Sequence, residues 1–305
     1  MTPTHFSRIL CPVSLSDTSQ RTVDVAAMLA AAYDAELRLF HAVPGDCAGD
    51  RDAETLTASL FAFTRHAKMR LRVSAAVGYG DPAVEIRDHA RLMRADLIVT
   101  GVDRRSAPRA ANDAIPIVVT KHSTCPVLIV RPPPARFQAG GWQGFTEILS
   151  CVDFLPASLQ SAEYALALAE LDHARVTLLN VLTDDANASE SIDEGDIDVR
   201  EHLDAIRGAA HSSHGVEAVL TGEPGPEIIG FANRVGSDLI VVGAHSGTLP
   251  GRKLGATTAH VIAHAPCPVL IVPVLSDVWP MGAGITRITK PGFGHDHKES
   301  GSASS

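Results

Sequence analysis

The chain states one pattern twice, and nothing else in it constrains the fold as strongly. Ala95-Asp96-Leu97-Ile98-Val99-Thr100-Gly101 is answered by Ser237-Asp238-Leu239-Ile240-Val241-Val242-Gly243. Cys125-Pro126-Val127-Leu128-Ile129-Val130 recurs letter for letter as Cys267-Pro268-Val269-Leu270-Ile271-Val272. Both pairs are offset by 142 residues (243−101 and 267−125), so the segment between the copied strands keeps its length. Near the start of each copy, Arg8-Ile9-Leu10-Cys11-Pro12-Val13-Ser14 corresponds to Glu147-Ile148-Leu149-Ser150-Cys151-Val152-Asp153. A repeat of this length is a whole domain and not a solenoid unit.

At 305 residues the chain has room for two domains, each able to bury its own core. The apolar fraction is 45% with only 5% aromatic residues, so the core is built from Ala, Val, Ile and Leu, as in buried parallel sheets. The net charge is −9, with an acidic run of Asp184, Asp185, Glu190, Asp193, Glu194, Asp196, Asp198 and Glu201 against Arg200 alone. Such a run reads as a solvated face, and an acidic surface repels phosphate backbones, which argues against nucleic acid as a partner. No apolar stretch reaches membrane-spanning length and no secretory signal pattern opens the chain. The five cysteines lack CxxC spacing, and four lie in or beside strand-like runs as core residues. A reducing cytoplasm is the expected setting.

Strand-like and helix-like patterns alternate. In the first copy strands are expected at 8–13, 36–43, 69–76, 96–101 and 126–131, with helices from Ser19 to Tyr33, within 52–67, after the Asp81-Pro82 cap, and at 112–122. The second copy repeats the series with strands at 147–152, 175–182, 216–221, 238–243 and 268–273 and helices at 158–171, 197–210, 225–235 and 255–264. Parallel strands need crossover connections, so the fold class is α/β: two tandem, doubly wound, five-stranded parallel sheets with helices on both faces. The expected domains are 1–131 and 147–273, joined by a Pro/Gly-rich linker at 132–146 and followed by a Gly/Pro/Ser-rich tail at 274–305. His295-Asp296-His297 in the tail has metal-ligand chemistry but no further ligand beside it.

Ligands of open α/β sheets sit beyond the carboxyl ends of the strands where strand order reverses. If it reverses between the first and fourth strands, the residues ending them are Asp153 and Gly243 in the second copy and Ser14 and Gly101 in the first. A carboxylate accepts hydrogen bonds from an amine or ribose hydroxyl, and a glycine lets a ligand approach the backbone. Equally, such a glycine can serve only the turn, and such an aspartate only a neighbouring amide.

Val152-Asp153, Val242-Gly243-Ala244-His245-Ser246-Gly247 and the run from Gly255 to the closing Cys267-Pro268-Val269 strand resemble a universal stress protein domain. The first copy resembles it more loosely through Gly80-Asp81-Pro82, Ala95 to Gly101 and Thr124 to Val130. The resemblance implies a tandem, non-catalytic stress-response protein of adenine nucleotide alpha hydrolase-like fold. In nucleotide-binding members an Asp ending the first strand holds adenine, and a Gly-x2-Gly-x9-Gly-Ser/Thr loop wraps ribose and phosphates. Carried over, the resemblance assigns Val152, Asp153, Val181, Gly243, Ser246, Gly247, Gly255, Ala256 and Thr257 to an ATP or AMP site. Ser246 stands for the second glycine, Ala256 for the hydroxyl residue with Thr257 next to it, and the loop is one residue short. Arg252 and Lys253 could neutralise phosphate charge. In the first copy Ser14, Arg104, Asp113 and Ala114 replace the motif residues, and Asp113 would repel phosphate, so any nucleotide is expected in the second copy alone.

Two other classes stay open: an enzyme cleaving the α–β phosphate bond of ATP, and a binding module for a metal or an apolar ligand. The first lacks a pyrophosphate loop, since Asp153-Phe154-Leu155-Pro156-Ala157-Ser158 carries no glycine pair. His245 occupies the serine position of a nucleophile elbow, Gly78-Tyr79-Gly80-Asp81 does not complete a dinucleotide fingerprint, and no Walker A sequence occurs. His211 and His214 read as a solvated helix end, and the equivalent His122 and His264 as dipole compensation at helix C-termini. Because an open apolar edge invites aggregation, the strands at 126–131 and 268–273 are expected to pair the two halves as an intramolecular pseudo-dimer. Self-association of whole chains into a homodimer is also compatible with the resemblance.

Overall fold

The computed structural model describes residues 6–16, 19–45, 52–65, 70–102, 115–130, 144–183, 192–209, 215–244 and 254–273. The first half runs β1 (Arg8–Pro12), α1 (Ser19–Ala32), β2 (Glu36–Val43), α2 (Ala53–Ala62), β3 (Arg72–Tyr79), α3 (Pro82–Leu92), β4 (Leu97–Gly101), α4 (Ile115–His122) and β5 (Val127–Val130). The second runs β6 (Glu147–Cys151), α5 (Pro156–Asp172), β7 (Arg175–Leu182), α6 (Ile192–Ala209), β8 (Gly215–Thr221), α7 (Pro224–Val235), β9 (Leu239–Gly243), α8 (Ala256–His264) and β10 (Val269–Val272).

Local chemistry sets the helix ends. Pro82, Pro156 and Pro224 open α3, α5 and α7, where a missing amide costs nothing. Asp81 Oδ1 accepts from the amides of Ala83 and Val84, both at 3.0 Å, and caps α3. Gly236 stops α7 with φ 70°, a left-handed turn that suits glycine.

The ten strands form one sheet in the order β3-β2-β1-β4-β5-β10-β9-β6-β7-β8. Neighbours within each half are parallel, and β5 and β10 meet antiparallel, with Val127 opposite Ile271, Leu128 opposite Leu270 and Ile129 opposite Val269. One face of the sheet is covered by α1, α2, α5 and α6 through residues such as Leu29, Leu60, Leu166 and Leu203. The other is covered by α3, α4, α7 and α8 through Ile86, Val119, Ile228 and Val261. The central strands β1, β4, β5, β6, β9 and β10 are therefore buried on both faces, which is why they read as apolar runs, while the edge strands β3 and β8 are only partly buried.

Some boundaries depart from the sequence reading. Strand β3 extends to Tyr79, three residues beyond the expected end at 76, because it pairs residue for residue with all of β2, from Glu36 opposite Arg72 to Val43 opposite Tyr79. Gly78 belongs to that strand, and a methyl group there would meet the Phe40 ring at 2.7 Å. Helix α6 begins at Ile192 and so takes in part of the acidic run. Asp184, Asp185 and Glu190, most of the linker, the tail and Cys47 lie outside the described residues. Cys11, Cys125 and Cys267 are buried, Cys151 is partly so, and none of the four is in a disulfide among the described residues. Burial pushes the Cys125 thiol up to about 11 and raises those of Cys11 and Cys151, as expected of inert core residues.

Candidate functional site at the ends of β6 and β9

Strand order reverses between β1 and β4 and again between β6 and β9, so each half has its switch point at the position anticipated. In the second half β6 is followed there by Val152, which is buried and has both backbone groups engaged. The Val152 amide donates to Leu179 O at 2.8 Å, and its carbonyl accepts from Asn180 Nδ2 at 2.7 Å.

Asp153 follows, exposed at the rim. Its Oδ1 accepts from the Leu155 amide at 3.0 Å, and its own amide donates to Ser158 Oγ at 3.1 Å. The chain then turns through Phe154 at φ 60° into α5. Val181 comes near by the logic of the ladder. Leu179 faces β6 and accepts from Val152, whereas the Leu182 carbonyl faces β8 and accepts from Gly222 at 2.8 Å. Backbone groups alternate sides along a strand, so those of Val181 point past the end of β6 toward Asp153.

Gly243 ends β9, and the close approach it permits is made by the protein itself. A methyl group at 243 would lie 2.8 Å from the Ala157 carbonyl carbon and 2.9 Å from its Cβ. The first turn of α5 thus rests on Gly243, as Thr22 of α1 rests on Gly101, where a methyl would meet the Thr22 hydroxyl. The position a side chain at 243 would take is thus filled by α5. Gly255 is the buried N-cap of α8 at φ −60° and donates to Ala244 O at 3.2 Å. Ala256 is exposed, Thr257 half-buried, and Thr258 Oγ1 donates to Gly243 O at 2.8 Å. That bond ties the start of α8 to the crevice and brings amides of its first turn, which have no partner within the helix, alongside. Ser246, Gly247, His245, Arg252 and Lys253 lie outside the described residues.

The first half has the same frame with different chemistry. Leu15 turns at φ 57° where Phe154 does, and His41 Nδ1 meets Val13 O at 2.7 Å where Asn180 meets Val152. The Ser14 hydroxyl replaces the Asp153 carboxylate and lies 2.9 Å from the hydroxyls of both Ser16 and Ser19. Arg104, Asp113 and Ala114 lie outside the described residues.

Sequence reasoning missed Asn180, Ser158 and Thr258. The signal for Asn180 was present: an amide inside the apolar run Leu178-Leu179-Asn180-Val181-Leu182, matched by His41 in the other copy. Asn180 is 6% exposed, and its Oδ1 is buried with no partner among the described residues. His260 and His264 stack at 4.2 Å on α8, yet no cluster of three metal-ligating side chains occurs among the described residues. Among these residues no helix is long and apolar enough to cross a membrane.

A doubly wound α/β half, repeated, with a switch point in each copy, is a tandem of the adenine nucleotide alpha hydrolase-like fold. Residues 5–131 and 144–273 each match the universal stress protein family, and the chain belongs to it. Among solved structures it is similar to a universal stress protein from Archaeoglobus fulgidus DSM 4304, at 18% identity and TM-score 0.64, covering 88% of this chain and 98% of that one. It is likewise similar to a functionally unknown protein from Pseudomonas aeruginosa PAO1, at 18% identity and TM-score 0.65, covering 88% and 93%. A comparison with curated proteins found no match.

Proposed function

We propose that the chain is a non-catalytic, cytoplasmic stress-response protein whose second half takes an adenine nucleotide, ATP or AMP, with low affinity, and whose first half takes none. The domain units are 1–131 and 147–273, paired within the chain as a pseudo-dimer. The observation that carries the asymmetry is the contrast at the two strand ends. Asp153 is exposed at the rim with only Oδ1 held by Leu155, whereas the Ser14 hydroxyl is drawn into a cluster with Ser16 and Ser19. Asp153 can accept from an adenine amine while the Val181 backbone supplies a second edge contact. The first-turn amides of α8, with Ala256 and Thr257, favour a phosphate group. Gly243 and Gly255 bracket Ser246 and Gly247 in the sequence. The affinity is low because α5 occupies the space beside Gly243 and because Ser246 replaces a glycine.

Calorimetry on the full-length protein with ATP and AMP at about millimolar concentration tests this reading. Asp153→Ala should weaken binding roughly 10- to 150-fold, the worth of a charge-assisted hydrogen bond, and Ser14→Ala should leave it unchanged. Binding that is lost with Ser14→Ala and kept with Asp153→Ala would reverse the assignment. ATP turnover of about 1 per second or faster, abolished by Asp153→Ala, would instead make the protein an enzyme.

A further inference from the structure

The two halves meet about an approximate twofold axis that passes between Leu128 and Leu270, which are equivalent residues facing each other. The strands at the joint are identical, each reading Val-Leu-Ile-Val. Beside them, on the face covered by α1 and α5, is an apolar void of about 10 Å³, scarcely room for one water. Its lining consists of four equivalent pairs: Phe6 with Phe145, Leu29 with Leu168, Leu97 with Leu239, and Leu128 with Leu270. Each pair is the same residue twice. Two first halves, or two second halves, could form this joint with the same strand register and the same side chains.

A polar pair across the axis breaks this identity. Tyr33, just past the end of α1, is equivalent to Asp172 at the end of α5 by the same 139-residue offset that relates Phe6 to Phe145. The Tyr33 hydroxyl donates to the Asp172 carboxylate, 3.1 Å from Oδ2 and 3.3 Å from Oδ1. The second half is shaped around that carboxylate. The Phe145 amide donates to Oδ2 at 2.9 Å, and Gly144, at φ 107°, leaves space where a methyl would lie 2.9 Å from Asp172 Cγ. Pairing two second halves would face one half-buried carboxylate with another, and pairing two first halves would face a phenol with a phenol. Either loses the donor–acceptor match, and the former adds like-charge repulsion.

We infer that Tyr33 and Asp172 are the residues that make the first half select the second over a copy of itself, so the partner this surface fits is the opposite half, from its own chain or from a second copy. The four apolar pairs on the axis are indifferent to that choice and contribute alike to all three pairings, so the polar match between Tyr33 and Asp172 is what separates them.

The test uses the full-length protein with a protease site placed among residues 134–141, folded first and then cut, incubated to allow exchange, and weighed by native mass spectrometry. Cut wild type should give the first-half–second-half complex in excess over same-half complexes by about tenfold or more. Cut Asp172→Tyr, which places tyrosine on both sides, should give a statistical mixture. Asp172→Asn, a smaller change that removes the charge, should shift toward the same mixture if Asp172→Tyr does not fold. A statistical mixture from wild type, halves that fall apart on cutting, or an unchanged first–second excess in both variants would each overturn the inference.

Discussion

Asn180 donates its side-chain amide to the carbonyl of Val152 across 2.7 Å, fixing the last backbone oxygen before the crevice. Removing that donor leaves a buried carbonyl unmet, so Asn180→Leu should lower unfolding free energy by about 1–3 kcal/mol. His41→Leu should cost less, because His41 is only half-buried and water can take over at Val13. Urea denaturation of both variants checks the order.

Gly243→Ala should be more damaging than Gly101→Ala. At 243 the added methyl meets the backbone of α5, which moves only if the helix moves, at a cost of about 1–3 kcal/mol. At 101 the contact is closer still, but it is with the hydroxyl of Thr22, which can rotate away. The kind of atom met outweighs the distance, and the two denaturation midpoints should rank accordingly.

Asp153→Ala should cost stability even without a nucleotide, because Oδ1 accepts from the Leu155 amide in the turn that leads into α5. The expected loss is about 0.5–1.5 kcal/mol, the net worth of one hydrogen bond. Thermal unfolding of ligand-free protein should therefore show a small decrease, separable from any loss of nucleotide-induced stabilisation.

Asp172 titrates high in the folded chain, chiefly because burial disfavours its charged form, although the Phe145 amide and the Tyr33 hydroxyl act the other way. A raised folded value means the folded protein holds this proton more tightly than the unfolded chain. The contribution of Asp172 to stability is therefore greatest below the ordinary carboxylate range and is lost as pH rises through the elevated value. Asp172→Asn should remove that part of the slope when denaturation midpoints are compared from about pH 4 to about pH 7. Tyr33 is also raised, by burial first and then by Asp172, so a further fall should begin near pH 10, where the unfolded phenol ionises, and be absent in Tyr33→Phe.

Much of this was legible from the sequence because the central strands are buried on both faces. Runs such as Val127 to Val130 and Leu239 to Gly243 can be little else in an α/β chain, and their recurrence located the switch points. What was not legible depended on partners far along the chain. The neighbour that requires glycine at 243 is Ala157, 86 residues earlier (243−157), so a glycine that serves helix packing reads like one that serves a ligand. Leu15 and Phe154 adopt left-handed backbone at residue types that give no warning of it. Their equivalence in the two copies marks a turn held by the frame, with Ser158 and Ser19 behind it. The end of β3 was misjudged because Gly78 and Gly80 look like turn residues, whereas the full length of β2 recruits Gly78 into the ladder.

A homodimer writes every substitution twice, so a residue on its axis can only ever face itself. Covalent fusion lifts that rule: tyrosine and aspartate can stand opposite each other, and one crevice can drift while the other is kept. Joining the halves through β5 and β10 therefore fixes their ratio at one to one and lets a symmetric architecture hold two different instructions.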